Sequence, residues 1–219
     1  MKLPAEVGIM VLPNAVLFPG VLMPLHIFEP RYRAMLADAL AGDRLFAVGL
    51  AHDTGAPCDV AGVGLVRTCL KLADGTSNLV LQGLSRVRVL DFQWERPGRG
   101  YPVARIEALP AAGPGEAATA RQPIIGMVRK VARARARLGA ELPKAVVDSL
   151  VALEDAALFA DVVSYTLVED FQEKQRLLET LDVTERLARL HRLLAAQLAR
   201  LELWKQLQGN LPNKHVGNN

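Results

Sequence analysis

Residues 8–33 read GIMVLPNAVLFPGVLMPLHIFEPRYR, and their punctuation decides the fold. Pro13, Pro19, Pro24 and Pro30, with Pro4 just upstream and Gly20 in the middle, interrupt a strongly apolar run. Each proline fixes φ and removes a backbone donor, so no continuous helix passes through the segment. The spacing predicts short extended pieces: Ile9–Leu12, a turn at Pro13-Asn14, Val16–Phe18, a break at Pro19-Gly20, then Val21–Ile27. Pro30 suits the first turn of a helix, and Glu29 stands at its positive end. Tyr32, Met35, Leu36, Ala39 and Leu40 follow at helical spacing until Gly42.

Working outward, Leu45–Ala51 predicts a short apolar strand, and the polar stretch His52–Asp59 an exposed loop. Gly62–Leu72 and Asn78–Phe92 read as two long strands joined through Ala73-Asp74-Gly75-Thr76, with Asp-Gly as the hairpin signal. Arg86, Arg88 and Leu90 alternate with Val87 and Val89, which predicts a charged strand face. A Pro/Gly-rich loop over 96–100 leads to a last strand, Tyr101–Leu109. The small residues after Pro110 are the natural boundary. Beyond them the period becomes helical, with helices predicted at 120–138, 143–151, 155–165, 168–180 and 184–208. Asp182 or Thr184 caps the last, where Val183, Leu187, Leu190, Leu194, Leu201 and Trp204 recur at near-heptad spacing.

The chain has 219 residues, is 51% hydrophobic and only 5% aromatic, and carries a net charge of +3. That is enough for a sizeable aliphatic core, and too mild a charge to imply nucleic acid. Cys58 and Cys69 form no CxxC and have no paired histidines nearby, so they are expected to be reduced thiols, not metal ligands. Lys2 precedes an apolar run, but Glu6 and the prolines break the uninterrupted core that a signal peptide needs. No stretch approaches the ~18 apolar residues of a membrane span. A cytoplasmic protein with no membrane contact is expected.

Catalytic signals are weak. No G-x-x-x-x-G-K-[ST] occurs, so a P-loop phosphate cradle is lacking. The four serines are Ser77, Ser85, Ser149 and Ser164, and Gly83-Leu84-Ser85-Arg86-Val87 fails the nucleophile-elbow pattern at its last position. None of His26, His52, His191 and His215 forms a metal-ligand pair. His52-Asp53 is the most enzyme-like couple, because a carboxylate can orient an imidazole; a solvated loop histidine is the plainer reading.

Arg121, Arg129, Lys130, Arg133, Arg135 and Arg137 form a run of six cations with no acid between 117 and 140. Such a helix can bind phosphates or an anionic membrane. An internal role is favoured, because residues 141–185 carry eleven acids against three bases. Packed helices of a bundle could pair these charges at their rims.

Three separated motifs resemble one family. Leu12-Pro13, Phe18-Pro19-Gly20, Pro24-Leu25 and Glu29-Pro30-Arg31-Tyr32-Arg33 look like the opening of the Lon protease N-terminal domain, the LON substrate-binding family. Gly64, Leu70, Asp74, Gly75, Gly83, Arg86 and Arg88 match its hairpin pattern. Lys174-Gln175-Arg176-Leu177-Leu178-Glu179 with Asp182-Val183 and Glu185-Arg186-Leu187 looks like its helical signature.

The resemblance implies an α+β fold. An N-terminal antiparallel PUA-like pseudo-β-barrel with one inserted helix (1–115) would precede a C-terminal helical bundle (116–209) and a flexible tail (210–219). The linker suggests two separable stability units. The resemblance also implies a non-enzymatic, stand-alone recognition module for unfolded or extended polypeptides, without cofactor or metal, with a separate protease or chaperone as a candidate collaborator. Exposed aromatic anchors beside charge suit such binding. Phe28 and Tyr32 would give flat apolar contact, and Arg31 and Arg33 would donate to peptide carbonyls or acids. Two alternatives stand beside it: an enzyme with a site in the cleft between the two parts, around His52 and Asp53, and an RNA-binding PUA-like protein. Nothing in the sequence sets an oligomeric state.

Overall fold

The computed structural model describes residues 3–94, 97–110 and 117–209. Most of the expected linker (111–116) and the expected tail (210–219) lie outside them. The chain is α+β. Six strands come first: β1 (Glu6–Leu12), β2 (Leu22–Ile27), β3 (Leu45–Leu50), β4 (Val60–Lys71), β5 (Ser77–Gln93) and β6 (Val103–Ala108), with helix α1 (Pro30–Ala41) between β2 and β3. Five helices follow: α2 (Ala117–Ala136), α3 (Lys144–Ala152), α4 (Ala156–Leu167), α5 (Phe171–Glu179) and α6 (Val183–Gly209).

The sheet order is β2-β5-β4-β3-β1-β6, and β6 also pairs with β5. The pairings β5-β4-β3-β1-β6 therefore return on themselves, and β2 is left outside the ring. One detail corrects the all-antiparallel expectation. β1 and β3 run parallel, Ile9 opposite Ala47 and Leu12 opposite Leu50, because β2 and α1 intervene as a crossover between them. Every strand of the ring contributes to one apolar cluster, including Ile9, Ala47, Val63, Val87 and Ala104. Met10, Phe46 and Val48 join a second cluster with Tyr32, Met35 and Leu36 of α1.

The predicted short strand at Val16–Phe18 does not form. Residues 15–18 make no ladder, yet Val16, Leu17 and Phe18 are buried. Prolines 13 and 19 bracket the segment, and its carbonyls pass directly over two glycines. A Cβ on Gly62 would lie 2.0 Å from the Leu17 oxygen, and one on Gly83 2.0 Å from the Phe18 oxygen. Only hydrogen fits there, which explains the glycines in otherwise β-rich strands. The hairpin forms as read. Gly75 takes φ +82°, and Asp74 accepts from the Thr76 amide at 2.9 Å.

Three of the helices, α4, α5 and α6, start where carboxylates satisfy their free amides. Asp155 accepts from Leu158 N at 2.6 Å, Asp170 from Glu173 N at 2.9 Å and Asp182 from Glu185 N at 2.8 Å. The Asp170 cap moves the start of α5 from the expected 168 to 171.

The two parts share one interior. Val16, Phe18, Val21 and Leu50 pack in a single cluster with Val128, Phe159, Leu167, Leu177 and Leu187 of the helices. Arg86 is not on an exposed charged face, as the strand alternation suggested. It is only 6% exposed, and it reaches across the joint. Its Nη1 and Nη2 donate to Asp161 of α4 at 2.9 and 2.5 Å, and its Nε donates to the Leu178 carbonyl at 2.8 Å. Arg186 of α6 places Nε 3.2 Å from the same carboxylate and donates Nη1 to the Thr180 carbonyl at 2.6 Å. Burial pulls the Arg186 guanidinium down to about 10, which leaves it charged at neutral pH. Gln175 of α5 adds a bond to the Val60 carbonyl at 2.8 Å.

We propose that the two parts unfold together, in place of the two separable units the linker suggested. Asp161→Asn keeps the shape but leaves two buried guanidiniums without a counter-charge, which should lower stability by ~3–5 kcal/mol. In urea, Trp94 in the strand part and Trp204 on α6 should report one midpoint, read from Trp→Phe variants of each. Two separate midpoints would restore the two-unit picture.

A second expectation concerns alkaline pH. Tyr32, Tyr101 and Tyr165 are the chain's three tyrosines, and burial pushes all three phenols above their ordinary value. The stability from keeping them neutral is complete below the unfolded value of about 10. It is lost as pH rises through the higher folded values. Ultraviolet titration should therefore show tyrosinate appearing later than in the urea-unfolded chain. Identical curves would contradict this.

Candidate functional site: the free edge of β2

Among the described residues β2 has one neighbour in the sheet, β5, against which Leu22 faces Gln82 and Ile27 faces Ser77. Gly83 N donates to the Val21 carbonyl at 2.8 Å, and this sets the phase of the ladder. Val21, Met23, Leu25 and Ile27 turn their backbone groups toward β5. Leu22, Pro24 and His26 turn theirs away from it. The missing N–H of Pro24 therefore falls on the open side and costs no ladder bond, the position in which an edge strand tolerates proline.

The same alternate residues project their side chains outward. Leu22, Pro24 and His26 are exposed, while Met23 and Ile27 are buried. The register places Pro24, Val80 and Thr68 in one row across the sheet and His26, Asn78 and Leu70 in the next. Between them runs a shallow groove of about 590 Å³. Leu70 lines it and is 64% exposed, Phe28 just past the end of β2 is 60% exposed, and Leu22 at the opposite end of β2 is 58% exposed, so large apolar side chains stand in water along β2 and at the hairpin corner beside it. His26 Nδ1 contacts Asn78 Oδ1 at 2.8 Å, and its ring stacks on Phe28 at 5.9 Å between centroids. Arg33 lies against Gly75 of the hairpin.

The four residues expected to bind peptide do not form one surface. Tyr32 is 2% exposed, and its hydroxyl both accepts from Val11 N and donates to the Val11 carbonyl, each at 3.2 Å. It pins α1 to β1, because the helical spacing that aligns it with Met35 and Leu36 points it into the core. Arg31 is ion-paired to Glu29 at 2.7 Å and lies 4.5 Å over the Tyr32 ring. Phe28 and Arg33 remain exposed. Leu22, Pro24, His26 and Leu70 were not expected from the sequence. The signal that marks them is Pro24 itself, since a proline inside a strand pattern places that strand at an edge.

The other candidates are also placed. His52 and Asp53 are exposed on a turn held by backbone bonds from His52 N to Ala56 O and Gly55 N to His52 O, both 2.7 Å. Among the described residues no hydrogen bond joins their side chains. Where the Pro19-Gly20 turn meets α3 and α4, a groove of about 450 Å³ is lined by small and apolar residues with Ser149 and Thr166, and by no titratable side chain. Ser149 donates to its own helix at the Ala145 carbonyl. Cys58 and Cys69 are free. Among the described residues no three of His, Cys, Asp and Glu gather as a metal site, and no helix is long and apolar enough to cross a membrane.

Comparison with known proteins identifies the family. The family model for the ATP-dependent protease La (LON) substrate-binding domain matches residues 6–196. Lon protease of Desulfosudis oleivorans is 29% identical over 218 residues, covering 96% of this chain and 26% of that protein. Lon protease 2 of Herpetosiphon aurantiacus is 30% identical over 213 residues, covering 94% of this chain and 26% of its own length. The chain thus spans about a quarter of the curated relatives it matches. The N-terminal domain of Mycobacterium avium complex Lon protease superposes with a TM-score of 0.67 at 19% identity, covering 89% of this chain and 98% of that domain. The Lon N-terminal domain protein of Xanthomonas campestris gives 0.62 at 20% identity, covering 94 and 99%. The match over 191 residues (6–196), most of the chain, places it in the LON substrate-binding domain family.

Proposed function

We propose that the chain is a non-enzymatic recognition module for extended, apolar polypeptide, which it takes up by strand addition at β2. The observation that carries this is an unpaired strand edge beside exposed Leu22, Phe28 and Leu70. An added strand would bond to the outward backbone of Leu22 and His26. Its alternate side chains would settle on the apolar corner, so that backbone bonds supply affinity and the corner supplies preference. Arg33 stands where an acidic flank of the ligand would find a donor. The family description and the lack of a phosphate loop in the sequence support binding without turnover. Handing captured chains to a separate protease or chaperone in the cytoplasm belongs to the same reading.

Reduced, carboxymethylated α-lactalbumin is a suitable unfolded probe, followed by fluorescence anisotropy. Phe28→Ala with Leu70→Ala should weaken binding roughly tenfold, ~1.4 kcal/mol, at an unchanged melting temperature, since both side chains are exposed. His26→Pro removes an edge donor and should weaken binding more than His26→Ala. Tyr32→Phe should lower stability by about 1 kcal/mol and leave affinity alone. Equal affinity of the Phe28/Leu70 variant and the parent would place the site elsewhere. Equal effects of His26→Pro and His26→Ala would remove strand addition while leaving the apolar corner.

A further inference from the structure

The basic run of α2 was expected to pair with the acids of its neighbours, and it does so only in part. Arg121 donates to the Val151 carbonyl at 2.6 Å, and Arg135 meets Glu169 at 2.6 Å. The acids that were to balance the rest have other partners: Glu169 also faces Arg200, and Glu173 binds Arg176 and Arg189. Among the described residues no acid lies within ion-pair distance of Lys130, Arg133, Arg137 or Lys205. All four are exposed, and they rim one groove of about 540 Å³ between α2 and α6. Its floor is Ala134, Leu198 and Leu201, all half-buried. A single acid, Glu202, opposes the four cations. Arg129, also exposed and unpaired among the described residues, stands one helical turn before Arg133. Like charges at this spacing repel, so the arrangement opposes folding unless something outside neutralises it.

The groove's chemistry narrows what that is. Among the described residues no aromatic side chain lines it, so stacked bases find no platform there. It lies along the flanks of two helices, not at an N-terminus, so no row of backbone N–H groups is aimed at a phosphate. Its apolar floor gives a bare polyanion nothing to cover. A ligand that fits floor and rims together carries an apolar stripe bordered by carboxylates on both sides. We propose that the α2/α6 groove docks an acidic amphipathic helix of a partner protein, by helix-in-groove recognition. Leucine-like residues of the partner would lie over Leu198 and Leu201, and Glu or Asp would face Lys130, Arg133, Arg137 and Lys205. The charge complementarity would also speed encounter. This site is on the helical part and does not rest on the reading of the β2 edge.

The test uses the full chain and a labelled peptide of roughly 20 residues, with leucines at i, i+3, i+4 and i+7 and glutamates on both flanks. A scrambled peptide of equal composition and an oligothymidylate serve as competitors. The patterned peptide should bind saturably, roughly tenfold tighter than the scrambled one, and more weakly as salt rises. Lys130→Glu with Arg133→Glu and Arg137→Glu should abolish this binding. The same variant should bind a patterned peptide whose glutamates are replaced by lysines, which shows that the variant is folded. Equal binding of both glutamate peptides would overturn the proposal in favour of charge alone. Tighter binding of the oligothymidylate would overturn it in favour of nucleic acid. A dimer in sedimentation that dissociates on charge reversal would make a second copy the occupant. Absence of saturable binding would overturn it outright.

Discussion

One carboxylate holds the two halves of this molecule in register. Asp161 receives Arg86 from the strand part and Arg186 from the last helix, all three nearly excluded from water. A buried ion pair is weak evidence for stability, because desolvation offsets most of the attraction. It is stronger evidence for a fixed geometry, since any other docking leaves uncompensated charge inside. Two cations against one anion is an unbalanced set. The carbonyls of Leu178 and Thr180 each accept one further guanidinium N–H, so the end of α5 is recruited into the same joint. Arg86 sits on β5, the strand that also carries β2 on its first half and β6 on its second. Anchoring β5 at that point therefore holds the strand whose other end presents the free edge.

That edge is a liability the fold contains. An exposed strand recruits other strands, including those of other copies. β2 is six residues long, carries Pro24 on its open side, and ends at Ile27, three residues before the helix-starting Pro30. These features limit how much ladder an added strand can form, which suits transient capture of many sequences better than permanent pairing. The loop over 13–20 has a related part. By crossing Gly62 and Gly83, it fixes where β2 begins and links the strand interior to the helical core through Val16 and Phe18.

Much of this was legible in the residues. The prolines at 13, 19 and 30 encode the breaks before α1, Asp74-Gly75 the hairpin, and the change of period near 117 the passage from strands to helices. What escaped is what depends on partners far away in the chain. Arg86 reads as a solvent-facing residue of an alternating strand, and only Asp161, 75 residues on, makes it internal. Tyr32 reads equally well as an anchor or as core, because helical spacing marks one face without saying what lies against it. Val16–Phe18 has strand composition, but the glycines that receive it are 45 or more positions away in sequence. The charge census of α2 predicted pairing, yet totals ignore geometry. Glu169 and Glu173 face α6 and Arg135, not the outer flank of α2.

The two surfaces left unsatisfied differ in a way that bears on mechanism. The β2 corner is apolar and offers backbone groups, which every extended chain can match, so it discriminates little among sequences. The α2/α6 groove requires a formed helix with acids in a fixed pattern, which an unfolded chain does not present. A module with both can hold a structured partner on its helical part while its strand edge remains open to unfolded chain. Because Asp161 fixes the joint between the parts, the two surfaces keep a constant relative orientation. Occupancy of one would then raise the local concentration of the other's ligand, through geometry alone.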